Sequence, residues 1–339
     1  MPTISITLAT YNGQRFLRQQ LDSLAAQYRL PDELVISDDA STDDTVAIAE
    51  SFAATAPFPV RIFRHADRLG YRANFMRAAH YATSDLIAFC DQDDVWYSRK
   101  LLYCVEPFND PAVLLTHHAI EVVTETGRWL ASPSRFAPAS TSSPGSLCSI
   151  RRATPAFGFT EVFHRSILSF SDLWPRSLDY NDPAFPMAHD QWVFFIASVF
   201  GRVVYLDRPL AAYRQHGANL FGFGTIRDPF KSRRVPANPA DSLYALRRSA
   251  DRCAEILELC SRLPLPKETV DRATLGAARY RRLADLYAAR SRLYTATSLP
   301  ERLRAFYRIV SSRGYQPKWS FGLGPRALLR DLCLGIPGR

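Results

Sequence analysis

TISITLATYNGQRFLRQQLDSLAAQYRLPDELVISDDASTDDT, residues 3–45, decides the fold. TISITLAT, residues 3–10, is β-branched and apolar and reads as a buried strand. In the next stretch Phe16, Leu17, Leu21, Leu24 and Ala25 share one helical face. ELVIS, residues 33–37, is a second strand, and it ends in Asp38 and Asp39. A second helix is expected from there. Ser41 and Asp44 stand as a capping-box variant, and Val46, Ala49 and Phe52 follow at helical spacing.

The same alternation runs on. VRIFR, residues 60–64, is a third strand, and residues 72–82 form a helix with Phe75, Ala78, Ala79 and Ala82 inward. DLIAFC, residues 85–90, is a fourth strand that runs directly into DQDDVW. Four strand–helix alternations with short connections mean an α/β fold: a mostly parallel sheet flanked by helices. Ligands of such sheets bind beyond the carboxyl ends of the strands. Three polar clusters stand at those ends: Thr10-Tyr11-Asn12, Asp38-Asp39 and Asp91-Gln92-Asp93-Asp94. Packing Asp91, Asp93 and Asp94 beside a buried strand is costly unless a cation neutralises them. Oxygen ligands of this kind suit Mg²⁺ or Mn²⁺. Neither a phosphate-binding G-x-x-x-x-G-K loop nor a G-x-G-x-x-G dinucleotide fingerprint is present.

Composition narrows the class. The chain has 339 residues, 47% hydrophobic and 22% charged, ordinary values for a globular protein with a real core. The longest apolar run near a helix, Val193 to Phe200, is too short to span a bilayer. The N-terminus has no charged n-region, so no signal peptide is expected. Six scattered cysteines form no C-x-x-C pair, which fits a reducing compartment. Charge is uneven. Residues 1–225 carry 19 Lys+Arg against 23 Asp+Glu, and residues 226–339 carry 23 against 10. A second region that faces a polyanion follows from this asymmetry.

Beyond residue 110 the pattern loosens. Residues 113–123 read as a strand, and the Ser- and Pro-rich 131–146 as a linker or a lid. A second compact stretch, 154–216, holds a helix from near Asp190 and a strand at 203–207. Adjacent His117 and His118 on a strand point to opposite faces, so at most one reaches a site. Asp190 opens an apolar helix, where an N-cap is as good a reading as an ionised acid.

ITLATYNGQRFLRQQLDSLAAQ, LVISDDASTDDT, RLGYRANF, AFCDQDDVWYSRKL, AHDQWV and YRQHGAN, spread over residues 4–219, together carry a resemblance. The chain resembles a family 2 glycosyltransferase with the GT-A fold, and more narrowly the bacterial rhamnosyltransferase-like branch. The resemblance implies a catalytic domain over 1–225, with a donor half to about residue 110 and an acceptor half from 111. It also implies an inverting, metal-dependent transfer from a dTDP- or UDP-sugar, with rhamnose as a candidate sugar, to a glycan or lipid-linked acceptor in cell-surface polysaccharide synthesis. Tyr11 then stacks on the pyrimidine, Thr10 and Asn12 shape its turn, and Asp39 accepts from the base N3–H. Arg68, Arg72 and Asn74 fall near the nucleotide. Asp93 is the foremost metal ligand, and Asp91 stands on the ribose or donor-sugar side. Asp190 is the base. Asp94, Trp96, His189, Gln191, Trp192, Arg214 and His216 are acceptor-side or supporting residues, and Gly158 allows close acceptor approach. A cytoplasmic protein, peripheral at the inner face of the inner membrane, is the implied location.

Two other functional classes remain open. A nucleotidyltransferase would also need clustered carboxylates and a metal, but TYNGQRF lacks its usual lysine. A non-catalytic nucleotide-sugar binder would not need Asp190. The basic residues 226–339 read as helices at 241–262, 268–295 and 300–311. A final stretch mixes Trp319, Phe321, Leu323, Leu328, Leu329 and Leu332 with Arg326 and Arg330. This region is either a helical appendage packed on the catalytic part or a partner, or an interfacial element on anionic lipid. It carries no nucleic-acid reader motif.

Overall fold

The structure is a computed structural model that describes residues 1–132, 156–179, 182–217, 219, 239–316 and 322–337. Most of the Ser/Pro stretch after residue 132, as well as Cys148, Trp319 and Phe321, lies outside these residues. The first half is built from β1 (Ile4–Thr10), α1 (Leu17–Ala25), β2 (Glu33–Asp38), α2 (Thr45–Ala53), β3 (Val60–Arg64), α3 (Tyr71–Tyr81) and β4 (Leu86–Cys90). These four strands pair in the order β3-β2-β1-β4, all parallel. Every residue of β1, β2 and β4 is buried, which is why they read as continuous apolar runs.

The second half changes the pairing. It contains β5 (Val95–Trp96), α4 (Lys100–Val105), β6 (Val113–Thr124), β7 (Trp129–Ala131), β8 (Val162–His164), α5 (His189–Phe200) and β9 (Arg202–Gln215). β8 is antiparallel to both β4 and β6, β9 is parallel to β6, and β5 is antiparallel to β9. The sheet runs β3-β2-β1-β4-β8-β6-β9-β5, with β7 on β6. A parallel half thus continues into a half of mixed pairing.

Two local expectations need correction. Ser41 does not cap α2. Its hydroxyl donates to Asp38 at 2.5 Å, and Asp43 instead accepts the Thr45 N–H at 3.0 Å. The strand expected at 203–207 extends to Gln215, because β6 pairs with it along nearly its whole length despite the polar Asp207-Arg208-Pro209 break.

The sheet separates two cores. One lies under α1, α2 and α4 and includes Leu17, Leu21, Leu24, Phe52 and Leu101. The other lies under α3 and α5 and continues without a break into the helices Pro239–Cys260 and Lys267–Thr295. α5 is buried along nearly its whole length, with Phe195 edge-on to Tyr280 of the Lys267–Thr295 helix. That helix in turn holds the chain's last described segment. Arg290 donates to Asp331 at 2.8 Å with both side chains buried, and Tyr294 and Tyr315 donate to the same carboxylate.

Candidate active site

The carboxyl ends of β1, β2 and β4 do converge. Thr10 Oγ1 donates to Asp38 at 2.9 Å, which ties β1 to β2. Asn12 takes a positive φ of 45°. This turn is held by its N–H on Ser41 Oγ (2.9 Å) and its Oδ1 under the Thr42 N–H (2.9 Å). Gln92 clamps the turn from β4. Its Oε1 accepts the Tyr11 N–H at 2.9 Å, and its amide donates to the Tyr11 carbonyl at 3.0 Å. A Cβ on Gly13 would stand 2.2 Å from that Gln92 oxygen, so any larger residue there would displace the clamp.

On this floor Tyr11, Asp39 and Arg68 form one group. The Arg68 guanidinium lies 3.8 Å from the Tyr11 ring centroid and 3.9 Å from the Asp39 carboxylate. Asp39 is buried and accepts the N–H groups of Leu69 (2.5 Å) and Gly70 (2.9 Å). Each carboxylate oxygen keeps a second lone pair for a ligand donor. Asn74 is buried behind them and donates to the Ser37 carbonyl at 2.9 Å. It holds strand ends, and its Oδ1 has no partner among the described residues.

The aspartate cluster sits beside this group. Asp91 and Asp94 are both pushed well above the usual carboxylate range by burial and then by neighbouring carboxylates, Asp93 foremost. Asp94 Oδ1 accepts the Arg214 N–H at 3.0 Å, while its buried Oδ2 has no partner among the described residues. His216 Nε2 lies 2.9 Å from Asp93 Oδ2, its ring resting on Phe16 at 4.7 Å. Lys100 is fully buried beneath. Its Nζ caps the Phe159 carbonyl and lies over the Trp96 ring, and burial lowers its pKa to about 8. Among the described residues no three His, Cys, Asp or Glu side chains form a complete cation cage. The donor set still fits a Mg²⁺ or Mn²⁺ that is shared with a ligand: Mg²⁺ is commonly held by one or two carboxylates plus substrate phosphates. Asp93 and Asp91, with His216 beside them, supply that number.

Across from the cluster, α5 presents Asp190 in its first turn. Its carboxylate accepts the Gln191 N–H at 2.7 Å. Burial foremost, opposed by the Gln191 N–H and Arg72 and helped by Asp179, raises its pKa to about 6. Asp190 acts electrostatically on Asp91, which places the two ends of the site within range of each other. His189 is buried, stacked on Phe75 (3.9 Å) and edge-on to Phe89 (4.7 Å), and burial lowers its pKa to about 3. It is a neutral imidazole that wedges α5 onto the sheet.

Several expected residues have other work. Trp96 is buried in the core under Lys100 and has no face for a sugar. Trp192 is fully buried against Phe195, away from any acceptor. Gln191 turns back to the Ala188 N–H (3.4 Å) at the helix start. The Arg214 guanidinium is spent on the Asp93 carbonyl (2.8 Å), the Glu125 carbonyl (2.7 Å) and Gln19 (2.6 Å). It braces the aspartate loop and does not reach out to a diphosphate. Arg72 pairs with Asp179 at 2.8 Å, on the Asp190 side. Above Gly158 stands His189: a Cβ there would lie 2.5 Å from Nε2, so the glycine admits the histidine and not an acceptor. His117 packs on Phe194 and Tyr205, and His118 Nδ1 lies 2.7 Å from the Ala119 carbonyl.

Lys100, Asp179 and Glu161 are not marked by the sequence, Gln92 is named there without a role, and Phe16, expected on the inward helical face, instead lies at the start of α1 against His216. Gln92 was visible between the aspartates but carried no charge to mark it. Lys100 looks like any surface lysine. Glu161 is fully buried, neither carboxylate oxygen has a partner among the described residues, and burial with Asp190 nearby drives its pKa well up. Nothing in the local pattern marks a glutamate as interior.

Comparison with known proteins bears on these observations. Residues 5–167 match the model of glycosyl transferase family 2. An uncharacterised protein of Mycobacterium tuberculosis is 29% identical over 222 residues, 64% of this chain and 60% of that one. The dTDP-rhamnosyl transferase RfbG of Shigella flexneri is 35% identical over 103 residues, 29% of this chain and 36% of its own. The chain therefore spans less than two thirds of the length of these relatives. The crystal structure of S. aureus TarS 1–349 in complex with UDP-GlcNAc shares the fold, with a TM-score of 0.52 at 19% identity. The match covers 91% of this chain and 81% of that one. Residues 5–167 thus carry the match to glycosyl transferase family 2, on a sheet with the GT-A fold.

Proposed function

We propose that the chain is an inverting, metal-dependent glycosyltransferase that takes its sugar from a dTDP- or UDP-sugar. The acceptor is a glycan or lipid-linked glycan of the bacterial cell surface. Residues 1–225 carry the chemistry, with the donor bound by about 1–110 and the acceptor by 111–225. The basic 226–339 region faces an anionic membrane surface. The observation that supports the reading is the opposition of two carboxylate groups: a crowded aspartate set just beyond β4, and Asp190, with its raised pKa, on α5, within electrostatic range of each other.

Tyr11, Arg68 and Asp39 make the nucleotide subsite. Asp39 accepts from an N3–H, which uracil and thymine have and cytosine lacks. A relative that is named a dTDP-rhamnosyl transferase and a fold neighbour with UDP-GlcNAc agree with that choice. Asp93, Asp91 and His216 would hold a Mg²⁺ or Mn²⁺, which supplies Lewis-acid stabilisation of a leaving diphosphate. Asp190 takes the proton of the acceptor hydroxyl as its oxygen bonds to the anomeric carbon and the carbon–diphosphate bond breaks. One displacement inverts the anomeric centre and needs no covalent intermediate. A pKa near 6 leaves Asp190 ionised at neutral pH and basic enough to help.

The reading is tested by incubating the protein with dTDP- and UDP-sugars and following nucleoside diphosphate release with Mn²⁺ or with EDTA, beside pyrophosphate release from nucleoside triphosphates. Cation-dependent diphosphate release is expected. Pyrophosphate release instead would make it a nucleotidyltransferase, and neither product would leave a binder.

A further inference from the structure

The helix Leu299–Ser311 buries one narrow face through Ala305 and Ile309. Arg302 turns inward and donates to the carbonyls of Ala296, Thr297 and Pro337, at 3.0, 3.3 and 3.1 Å. Leu299, Leu303, Tyr307 and Val310 follow at intervals of four, four and three, and so share another face. That face is bare: the four side chains are 52%, 46%, 72% and 46% exposed. Arg304 and Arg308 border it, both exposed, and Glu301 is the helix's one acid. Arg302 joins this helix to the end of the described chain. There the segment Pro325–Gly335 exposes Leu329, Leu332 and Leu334 (64%, 45% and 40%) beside exposed Arg326 and Arg330. The segment is held rigidly by the buried Asp331–Arg290 pair.

Single exposed leucines are ordinary, but seven large apolar residues on two joined helical segments, ringed by arginine, mark an interaction surface. A second copy of the chain would bring the same arginines against one another, which opposes self-pairing. The surface matches a partner that is anionic outside and apolar beneath. We propose that Leu299–Ser311 and Pro325–Gly335 form a docking face for an anionic lipid bilayer. The apolar side chains enter the acyl boundary, and Arg304, Arg308, Arg326 and Arg330 meet the headgroups. The inference rests on the reading of the basic region as membrane-facing, not on the chemistry of transfer.

The full chain is co-sedimented with phosphatidylglycerol-containing vesicles and with phosphatidylcholine vesicles, without donor. Wild type is compared with Leu303→Ser/Tyr307→Ser and with Arg304→Glu/Arg308→Glu. All these side chains are exposed, so the variants should melt like wild type. Binding to the anionic vesicles is expected, with at least a tenfold loss in each variant and a salt-dependent loss in wild type. Equal binding to both vesicle types, or wild-type binding by both variants, overturns the proposal. So does a wild-type dimer in light scattering that Leu303→Ser/Tyr307→Ser converts to monomer, since the face is then covered by a second copy. Diphosphate release measured on the same samples reports separately on the transferase reading.

Discussion

Asp190 carries two opposed demands, and they can be measured apart. Its folded pKa of about 6 lies above the ordinary carboxylate value. A raised folded pKa means that the native state binds the proton more readily than the unfolded one. Its relative stabilisation is therefore present below pH about 4 and lost as pH rises through 6. Asp190→Asn should raise the midpoint of urea unfolding at pH 7 and leave it nearly unchanged at pH 4. The same change should lower kcat by about 10²- to 10⁴-fold, the usual worth of a general base. In wild type kcat should fall on the acid side with a midpoint near pH 6. A stabilised variant with full activity would remove Asp190 from the chemistry. Trp192, its neighbour in sequence, behaves oppositely. It is fully buried, and Trp192→Ala should cost about 3–5 kcal/mol in denaturant unfolding. The sequence puts both residues in one motif, two positions apart. The helix turns one toward the aspartate cluster and the other into the core, and 100° of rotation per residue is not visible in a motif.

At the scale of elements, β1, β2, β4 and the carboxylates at their ends were legible because buried parallel strands leave long apolar runs. The mixed half of the sheet was less so. β9 is broken in pattern by Asp207 to Pro209, where its register against β6 also shifts, and it is held as one strand by β6 on both sides of the break and by β5 beyond it. The α5–β8 junction depends on a contact no local pattern carries, the fit of His189 over Gly158. Gly158→Ala should push His189 and Asp190 outward, costing about 1–3 kcal/mol by overcrowding and lowering kcat more than it raises KM. An unchanged melting temperature would contradict the packing described. The Asp331 pair offers a second check. Asp331→Ala strands a buried guanidinium and should cost about 3–5 kcal/mol, most visibly as faster hydrogen exchange in the Lys267–Thr295 helix.

Over the whole molecule the charge asymmetry was plain in composition, but the shared core was not. The 226–339 region is distinct in charge, yet Leu243, Leu246, Ala250, Tyr280 and Leu283 complete the core that α5 begins. Deleting residues 239–339 should therefore leave a protein without a cooperative melt, and a soluble, cooperatively melting 1–238 fragment would argue otherwise. The nucleotide subsite proposed at Tyr11, Asp39 and Arg68 is tested most directly by a calorimetric titration of the full chain with UDP, dTDP, CDP and GDP, with and without Mn²⁺. Binding of UDP or dTDP alone, dependent on Mn²⁺ and lost in a normally melting Asp93→Ala variant, is the predicted result. Binding of CDP or GDP as tightly as UDP and dTDP, or binding indifferent to Mn²⁺ and to Asp93, would contradict it.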